Sequence, residues 1–239
     1  MPVTESTERR NRFQIEDISK GTNTIICGRR LSGKSSILCS IIQSKKDADV
    51  TIFSSKYVAS SYMKYFPPHQ IYDHYNPKIL KKLLDKQLKA GPDRELIVAF
   101  DDVAVNQNLW KDQHIRDIIR YGSSLGITAI FCIQHAGQLD DMFKRNIDYV
   151  FCFRDNIIAD QKLIFTEFGR MFPTFEEFKE RLDDCIAEPY RCLVFDLKTP
   201  KRDPKQSVFW YKAPELKRYT PPPITNKTIN TRSFIWDMF

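Results

Sequence analysis

The sequence lacks any long hydrophobic run. Its longest apolar stretches, such as LIVAF and TAIFCI, are far shorter than the roughly 20 residues that a helix needs to cross a bilayer. The first twelve residues, MPVTESTERRNR, are charged and have no apolar segment behind them, so they do not resemble a secretory signal. We therefore expect a soluble, intracellular protein with no membrane span.

Cysteine and histidine are present without the spacings that are typical of metal sites or disulfide frameworks. The six cysteines include no Cys-x-x-Cys pair, and Cys27, Cys132 and Cys152 lie inside apolar runs. The four histidines form no HExxH motif. These patterns predict buried, reduced thiols and no structural metal site.

Basic residues are only slightly more numerous than acidic ones, 37 against 30, which gives a net charge of +7. A basic surplus suits a polyanionic partner, but this surplus is too small to identify one. The hydrophobic content of 42% over 239 residues is sufficient for one large α/β domain or two small ones.

Short apolar runs alternate with longer helical patterns along the chain. The predicted strands are NTIIC, DVTIF, ELIVAF, ITAIFCI and DYVFCF, and the predicted helices cover 34–44, 59–65, 78–89 and 113–126. Further helical sequence follows over 157–187, before YRCLVFDL and SVFWYK, which we expect to form an edge hairpin around the basic turn KTPKRDPKQ. This alternation predicts an α/β fold, in which helices cover both faces of a mostly parallel central sheet.

The two ends of the chain differ in composition from the part between them. Residues 1–12 are polar and predict a flexible arm, residues 13–217 form the predicted main domain, and residues 218–239 form a proline-rich tail with an aromatic end. The tail's apolar end, SFIWDMF, has too little sequence to bury itself. We expect it to contact a partner surface, or alternatively to dock back on its own domain.

The most specific motif lies between the first predicted strand and the first predicted helix. Residues 28–35 match G-x-x-x-x-G-K-[ST] at every fixed position. Its glycines let successive N–H groups point at a phosphate, and the helix N-terminus adds partial positive charge. Lys34 is predicted to bridge the β- and γ-phosphates of ATP, and Ser35 to ligate Mg²⁺. The predicted nucleotide-binding residues are Gly28, Arg29, Arg30, Leu31, Ser32, Gly33, Lys34, Ser35 and Ser36, although Arg29 and Arg30 also fit the role of solvated loop charges.

Polar residues at the ends of two further strands complete the predicted site. ELIVAFDD ends in Asp101, which we expect to hold Mg²⁺ through a water ligand, and Asp102, which we expect to deprotonate the attacking water. ITAIFCIQ ends at Gln134, whose amide can hydrogen-bond both a phosphate and the lytic water. A glutamine here favours hydrolysis over phosphoryl transfer to an acceptor.

With GRRLSGKS, IVAFDD, GITAIFCIQ and NIDYVFCFRDN in this order, the sequence resembles the genome-packaging ATPases of poxviruses, iridoviruses, other large DNA viruses and virophages, within the FtsK–HerA superfamily. The resemblance covers about residues 20–213 and includes FWYKA near its end. It implies a P-loop NTPase fold of the additional-strand (RecA/FtsK-like) type. It also implies a Mg²⁺-dependent ATPase that forms a pentameric or hexameric ring and drives double-stranded DNA into a preformed capsid. Contacts with capsid proteins, and a location in the virion or the host cytoplasm, follow from the same resemblance.

The chain departs from this family at its expected arginines. Members often carry Gly-Arg-His where this chain has Gly122-Ser123-Ser124, and the arginine that often precedes the IDYVF string falls on Lys144. An arginine supplied to a neighbouring subunit therefore has two candidates, Arg145 and Arg154, which flank the fifth predicted strand. For either one, the alternative role is a structural salt bridge to an acidic neighbour, Asp148 or Asp155.

Three other functions fit part of the pattern. A P-loop nucleoside or nucleotide kinase would need an arginine-rich lid, and the sequence has no lid-like insertion. A non-enzymatic assembly protein that uses its P-loop as a switch would not need Lys34, Ser35, Asp101 and Asp102 all intact. A HerA-like cellular DNA motor shares the same chemistry, and only the biological context separates it from a viral one.

Two loops are candidates for contacting DNA. The predicted turn Lys198–Gln206 contains four basic residues, and such charges on a loop are sufficient for phosphate contact, although a solvated hairpin turn fits equally well. The loop VAVNQNLWKDQH, which follows the acidic strand end, is the second candidate.

Overall fold

The computed structural model describes residues 12–103, 107–198 and 204–221, which form one mixed sheet with helices on both faces. The strands are β1 Asn23–Cys27, β2 Asp49–Ser54, β3 Ile71–Tyr72, β4 Leu96–Asp101, β5 Ile127–Ile133, β6 Tyr149–Cys152, β7 Cys192–Asp196 and β8 Val208–Tyr211. The α-helices are α1 Lys34–Ser44, α2 Lys56–Tyr62, α3 Pro77–Ala90, α4 Gln113–Leu125, α5 Asp141–Lys144, α6 Ile158–Phe168, α7 Phe175–Cys185 and α8 Pro204–Ser207. Short 3-10 segments cover Ile15–Asp17, Pro68–Gln70, Gln107–Lys111 and Ala136–Gln138.

The strands lie in the order β3-β2-β4-β5-β1-β6-β7-β8. All neighbours from β3 to β6 run parallel, whereas β6, β7 and β8 pair antiparallel. The mostly parallel sheet and its C-terminal edge hairpin are therefore confirmed. The additional strand is confirmed as well, because β5 lies between β1, which leads into the phosphate loop, and β4, which ends in the acidic pair.

The core lies on both faces of the sheet. Along β5, Ala129 and Phe131 pack on the face that α3, α4, α6 and α7 cover, while Ile130 and Cys132 pack on the face that α1 and α2 cover. On the first face, the rings of Phe53 and Phe100 stack with their centroids 5.5 Å apart, and those of Phe100 and Phe131 stack at 4.6 Å. These stacked rings join β2, β4 and β5, the three strands whose carboxyl ends carry polar side chains.

Both ends of α4 are set by their local sequence. Asp112 caps the start, where its side chain accepts hydrogen bonds from the main-chain N–H groups of His114 and Ile115 at 2.8 and 3.3 Å. At the other end Gly126 has φ +68°, and a Cβ there would lie 2.5 Å from the carbonyl oxygen of Pro92. Only glycine fits this position, and β5 begins at the next residue.

Several predicted boundaries were wrong. The helix expected over 59–65 is Lys56–Tyr62, because β2 ends at Ser54 and Ser55 starts the helix directly. Part of the segment expected to be a basic turn is helical, as α8. Strand β3 was not predicted, since two residues are too short to give a pattern.

The two ends of the described chain lie against the domain. Phe13 is buried, and the main-chain N–H of Phe13 donates to the carbonyl oxygen of Trp210 at 2.9 Å. Near the other end, the N–H of Tyr219 donates to the carbonyl oxygen of Lys64 at 2.9 Å. The predicted arm, except Arg12, and the predicted tail beyond residue 221 lie outside the described residues.

Candidate active site

The phosphate loop depends on two glycines that pack against Phe153. A Cβ on Gly28 would lie 2.8 Å from the Phe153 Cβ, and a Cβ on Gly33 would lie 3.3 Å from the Phe153 ring. Gly33 has φ +111° and occupies the N-cap of α1, where no side chain caps the helix. Since the first N–H groups of a helix have no intrahelical partner, the N-terminus of α1 is open to an anion.

Two side chains of the loop also suit a phosphate. Lys34 Nζ donates to the carbonyl oxygens of Gly28 and Arg29 at 2.7 and 2.9 Å, which places its ammonium group on the loop itself. The hydroxyl of Ser32 is buried and has no hydrogen-bond partner within the described residues. Among the predicted binding residues, Arg29 is exposed and does not line the cleft above the loop, whereas Arg30 does.

A buried carboxylate lies beside the loop. Asp101 is only 3% exposed and accepts hydrogen bonds from Ser35 Oγ at 2.9 Å and from the Tyr62 hydroxyl. A buried charge is tolerated when such donors satisfy it. Burial, and then the nearby Asp101 charge, raise the pKa of Tyr62 well above its usual value, so this hydroxyl remains a donor at neutral pH. The pKa of Cys132 is raised in the same way, first by burial and then by Asp101, so its thiol stays protonated.

The oxygens at this position fit Mg²⁺. The Ser35 hydroxyl and the Asp101 carboxylate are hard donors next to the phosphate loop, and Mg²⁺ in such sites takes one or two protein oxygens together with substrate phosphates. Within the described residues no group of three or more His, Cys, Asp and Glu side chains could hold a metal ion by itself.

Asp102 connects the ends of two strands. Its φ of +60° is uncommon for a residue other than glycine, and strain of this kind persists where surrounding structure enforces it. Its carboxylate accepts a hydrogen bond from Ser55 Oγ at 3.0 Å and lies 3.5 Å from Gln134 Nε2. The main-chain N–H of Gln134 in turn donates to Gln138 Oε1 at 3.0 Å. The structure therefore brings Asp102 and Gln134 together above the phosphate loop.

These side chains share one cleft of about 740 Å³. Its lining includes the predicted residues Arg30, Leu31, Gly33, Lys34, Ser35, Ser36, Asp101, Asp102 and Gln134. Residues that the sequence did not predict also line it or support it. Ser55 could have been found, because carboxyl ends of parallel strands meet at one edge. Tyr62, Gln138 and Tyr190 follow no local motif.

The two candidate arginines lie at opposite ends of β6. Arg145 precedes this strand, at the edge where the parallel strands begin, whereas Arg154 follows it on the edge of the phosphate loop. Both are exposed, and within the described residues neither forms a salt bridge to Asp148 or Asp155. These two acids accept main-chain hydrogen bonds instead, from Asn23 at 2.8 Å and Ile157 at 2.9 Å.

Lys144 occupies the position where the family's arginine was expected. Its Nζ pairs with Glu167 at 2.9 Å and with Asp141 at 3.5 Å. These hydrogen bonds and charges outweigh partial burial and raise the pKa of Lys144. Lys144 therefore has a structural role that links α5 to α6.

The candidate DNA loops are described only in part. Lys198 is exposed, and its Nζ donates to Ser19 Oγ, whereas Lys201 and Arg202 lie outside the described residues. In the loop after Asp102, residues 104–106 also lie outside them. No helix in the described part of the chain is long and apolar enough to cross a membrane.

Comparison of the sequence with known proteins finds relatives in viruses. An uncharacterized protein of Frog virus 3 (isolate Goorha) is 25% identical over 222 residues, which cover 90% of this chain and 68% of that protein. An uncharacterized protein of Acanthamoeba polyphaga mimivirus is 28% identical over 222 residues, covering 86% and 77% respectively. No protein-family model matches the chain.

Solved structures with the same fold include a viral genome-packaging NTPase and a conjugation coupling protein. The genome-packaging NTPase B204 of Sulfolobus turreted icosahedral virus 2, in complex with sulfate, has a TM-score of 0.59 at 16% identity, covering 82% of this chain and 98% of that chain. Other structures of B204 contain AMPPCP or ATP-gammaS. The pCW3 conjugation coupling protein TcpA has a TM-score of 0.57 at 16% identity, covering 81% and 60% respectively. The chain has the P-loop NTPase fold of these proteins.

The buried carboxylate allows a test with a matched pair of tyrosines. Tyr62→Phe removes a donor to a buried charge and should lower the free energy of unfolding by about 1.5–3 kcal/mol, as hydrogen bonds to charged groups do. Tyr211 provides the control, because its hydroxyl lies 2.6 Å from the neutral Ser40 hydroxyl. Tyr211→Phe should cost about 1 kcal/mol. Urea denaturation measures both, and equal losses would show that the Asp101 charge adds nothing.

Proposed function

We propose that this protein is a Mg²⁺-dependent ATPase that translocates double-stranded DNA and packages a viral genome into a preformed capsid. The proposal rests on one observation, which is that two pairs of polar side chains lie together at the same edge of the sheet. Ser35 with Asp101, and Asp102 with Gln134, lie beside an uncapped phosphate loop. This arrangement supports phosphate binding and water activation in one cleft.

The side chains suggest a division of labour in ATP hydrolysis. Lys34 and the open N–H groups of α1 would hold the phosphates, and Ser35 and Asp101 would hold Mg²⁺. Bound Mg²⁺ would neutralise charge on the phosphate oxygens. Gln134 would orient a water molecule and Asp102 would accept its proton, while the water oxygen bonds to the γ-phosphorus and the bond to ADP breaks.

The relatives support packaging in particular. The two relatives described above belong to large DNA viruses, and the likeness to the packaging NTPase B204 extends over 98% of that chain. The likeness to TcpA keeps a conjugation-type or HerA-like motor as the alternative, since the catalytic chemistry would be the same. We further propose a pentameric or hexameric ring, with contacts to capsid proteins, that acts in the virion or the host cytoplasm.

The first prediction separates nucleotide binding from turnover. Lys34→Ala should abolish hydrolysis by weakening the grip on ATP. Asp102→Asn should keep nucleotide binding but stop turnover, because the amide keeps the shape and cannot accept the proton. Release of inorganic phosphate and equilibrium binding of ATP measure the two effects. Near wild-type hydrolysis by Asp102→Asn would show that Asp102 is not the base.

The second prediction concerns DNA. Double-stranded DNA should stimulate phosphate release without sequence preference, and its affinity should fall steeply with salt, because binding of basic side chains to phosphates releases counterions. The control is the same assay with nucleosides in place of DNA. An enzyme that ignores DNA and phosphorylates a nucleoside would establish a kinase instead.

The third prediction concerns the arginine that one subunit would supply to the active site of its neighbour. An arginine from a neighbouring subunit is worth about a thousandfold or more in the rate of phosphoryl transfer. Arg145 lies at the sheet edge opposite the phosphate loop, so it would serve only a neighbour's site. Mixing Arg145→Ala subunits with Asp102→Asn subunits should partly restore activity, since some interfaces then pair an intact Asp102 with an intact arginine.

One outcome of this mixing experiment would contradict the prediction. If mixing restores no activity while both variants still assemble and bind ATP, Arg145 has no role in transfer. The same mixture is then made with Arg154→Ala, and restoration there would assign the neighbour's arginine to Arg154.

A further inference from the structure

A second cleft of about 390 Å³ adjoins the cleft above the phosphate loop. Leu31 and Tyr190 line both clefts, so they stand at the boundary between them. The second cleft is also lined by Ser32, Phe153, Arg154, Asn156 and the loop 186–191. It is built from the phosphate loop and from the segments next to the site-side ends of β6 and β7.

The direction of a bound nucleotide follows from the proposed active site. Asp101, Asp102 and Gln134 lie at the ends of β4 and β5, on one side of the phosphate loop, and in the proposed active site the γ-phosphate would lie next to them. A nucleotide whose phosphates extend across the loop from that position would have its base on the other side of the loop. That side belongs to β6 and β7, where the second cleft opens.

Tyr190 is exposed in a way that packing does not explain. Its side chain is 65% exposed and its φ is +64°, a strained value for a tyrosine. The ring lies close to the phosphate loop, with Cδ1 3.5 Å from the position of a Cβ on Gly33. Leu31, which also lines both clefts, is 98% exposed with φ +63°. Two apolar side chains held in strained conformations beside a ligand cleft indicate a binding role.

The loop that carries Tyr190 is firmly anchored. The guanidinium of Arg191 lies 4.1 Å from the centroid of the Trp210 ring and pairs with Glu188 at 2.6 Å. Glu188 also pairs with Lys212 at 3.5 Å. Arg191 is thus held to Trp210 of β8, and Glu188 to Lys212, which follows β8. The loop between them therefore already holds the Tyr190 ring at the cleft.

We propose that the second cleft binds the nucleotide base, and that the ring of Tyr190 stacks on it with Leu31 as the opposing apolar wall. This inference rests on the proposed function, since it assigns the base end of the same nucleotide. A flat ring beside an apolar cleft recognises the π-face of a base. Stacking of this kind is sequence-tolerant in nucleic acids and favours any purine nucleotide over a bare polyphosphate.

The test compares ATP with inorganic tripolyphosphate, which has the phosphates and no base. Isothermal titration calorimetry with Mg²⁺ measures both affinities for the full chain. Tyr190→Gly removes the ring and also relieves the positive φ, so the backbone does not penalise the variant. It should weaken ATP binding roughly tenfold or more and leave tripolyphosphate binding unchanged. Tyr190→Phe, which keeps the ring, should bind ATP like the wild type.

Controls and contrary outcomes separate this inference from the proposed function. Tyr121 is 56% exposed on α4 and lines neither cleft, so Tyr121→Ala should bind both ligands normally. If the wild type binds neither ligand, the proposed ATPase function fails. If ATP binds but Tyr190→Gly retains full affinity, or loses tripolyphosphate equally, the stacking role is wrong.

A further variant checks the direction of the nucleotide. Tyr57 is 92% exposed and lines the first cleft but not the second, on the side of β2. Tyr57→Ala should lower ATP affinity less than Tyr190→Gly does. A selective loss of ATP binding in Tyr57→Ala, with Tyr190→Gly unaffected, would place the base on the opposite side and overturn the proposal.

Discussion

The buried carboxylate of Asp101 is the constraint on which the rest of the site depends. A charge with 3% exposure requires donors, and it finds them in Ser35 at the start of α1 and Tyr62 at the end of α2. These hydrogen bonds fix both helices against the end of β4. The position of the phosphate loop, which α1 continues, is therefore set by the same carboxylate that suits a metal ion.

The sheet order determines which polar residues can meet. Because β5 lies between β1 and β4, Gln134 reaches the space between the phosphate loop and Asp102. The backbone ladders hold β2, β4 and β5 side by side, and the stacked rings of Phe53, Phe100 and Phe131 pack across the same three strands on one face. The alignment of the site is therefore a property of the core.

The sequence predicted the elements whose determinants are local. Strands β1 and β5 and helix α1 were located correctly, since apolar runs and helical patterns are properties of short segments. The start of α2 was missed, because the chain passes from β2 into the helix without a visible break. The contacts of Tyr62 and the exposure of Tyr190 depend on segments far apart in sequence, and no local pattern contains them.

The positions of the arginines carry an implication for assembly. If a residue before β6 serves a site at the ends of β1, β4 and β5, then one edge of the sheet in one subunit must face the opposite edge in the next. Such an interface joins two different surfaces, and it closes into a ring when the rotation between subunits divides a full turn. A two-fold dimer, which joins identical surfaces, would not present Arg145 to the phosphate loop of its partner unless both edges lay in one patch. Arg145 and the phosphate loop lie at opposite edges of the sheet, so a role of Arg145 in a neighbour's site would require such an interface between unlike surfaces.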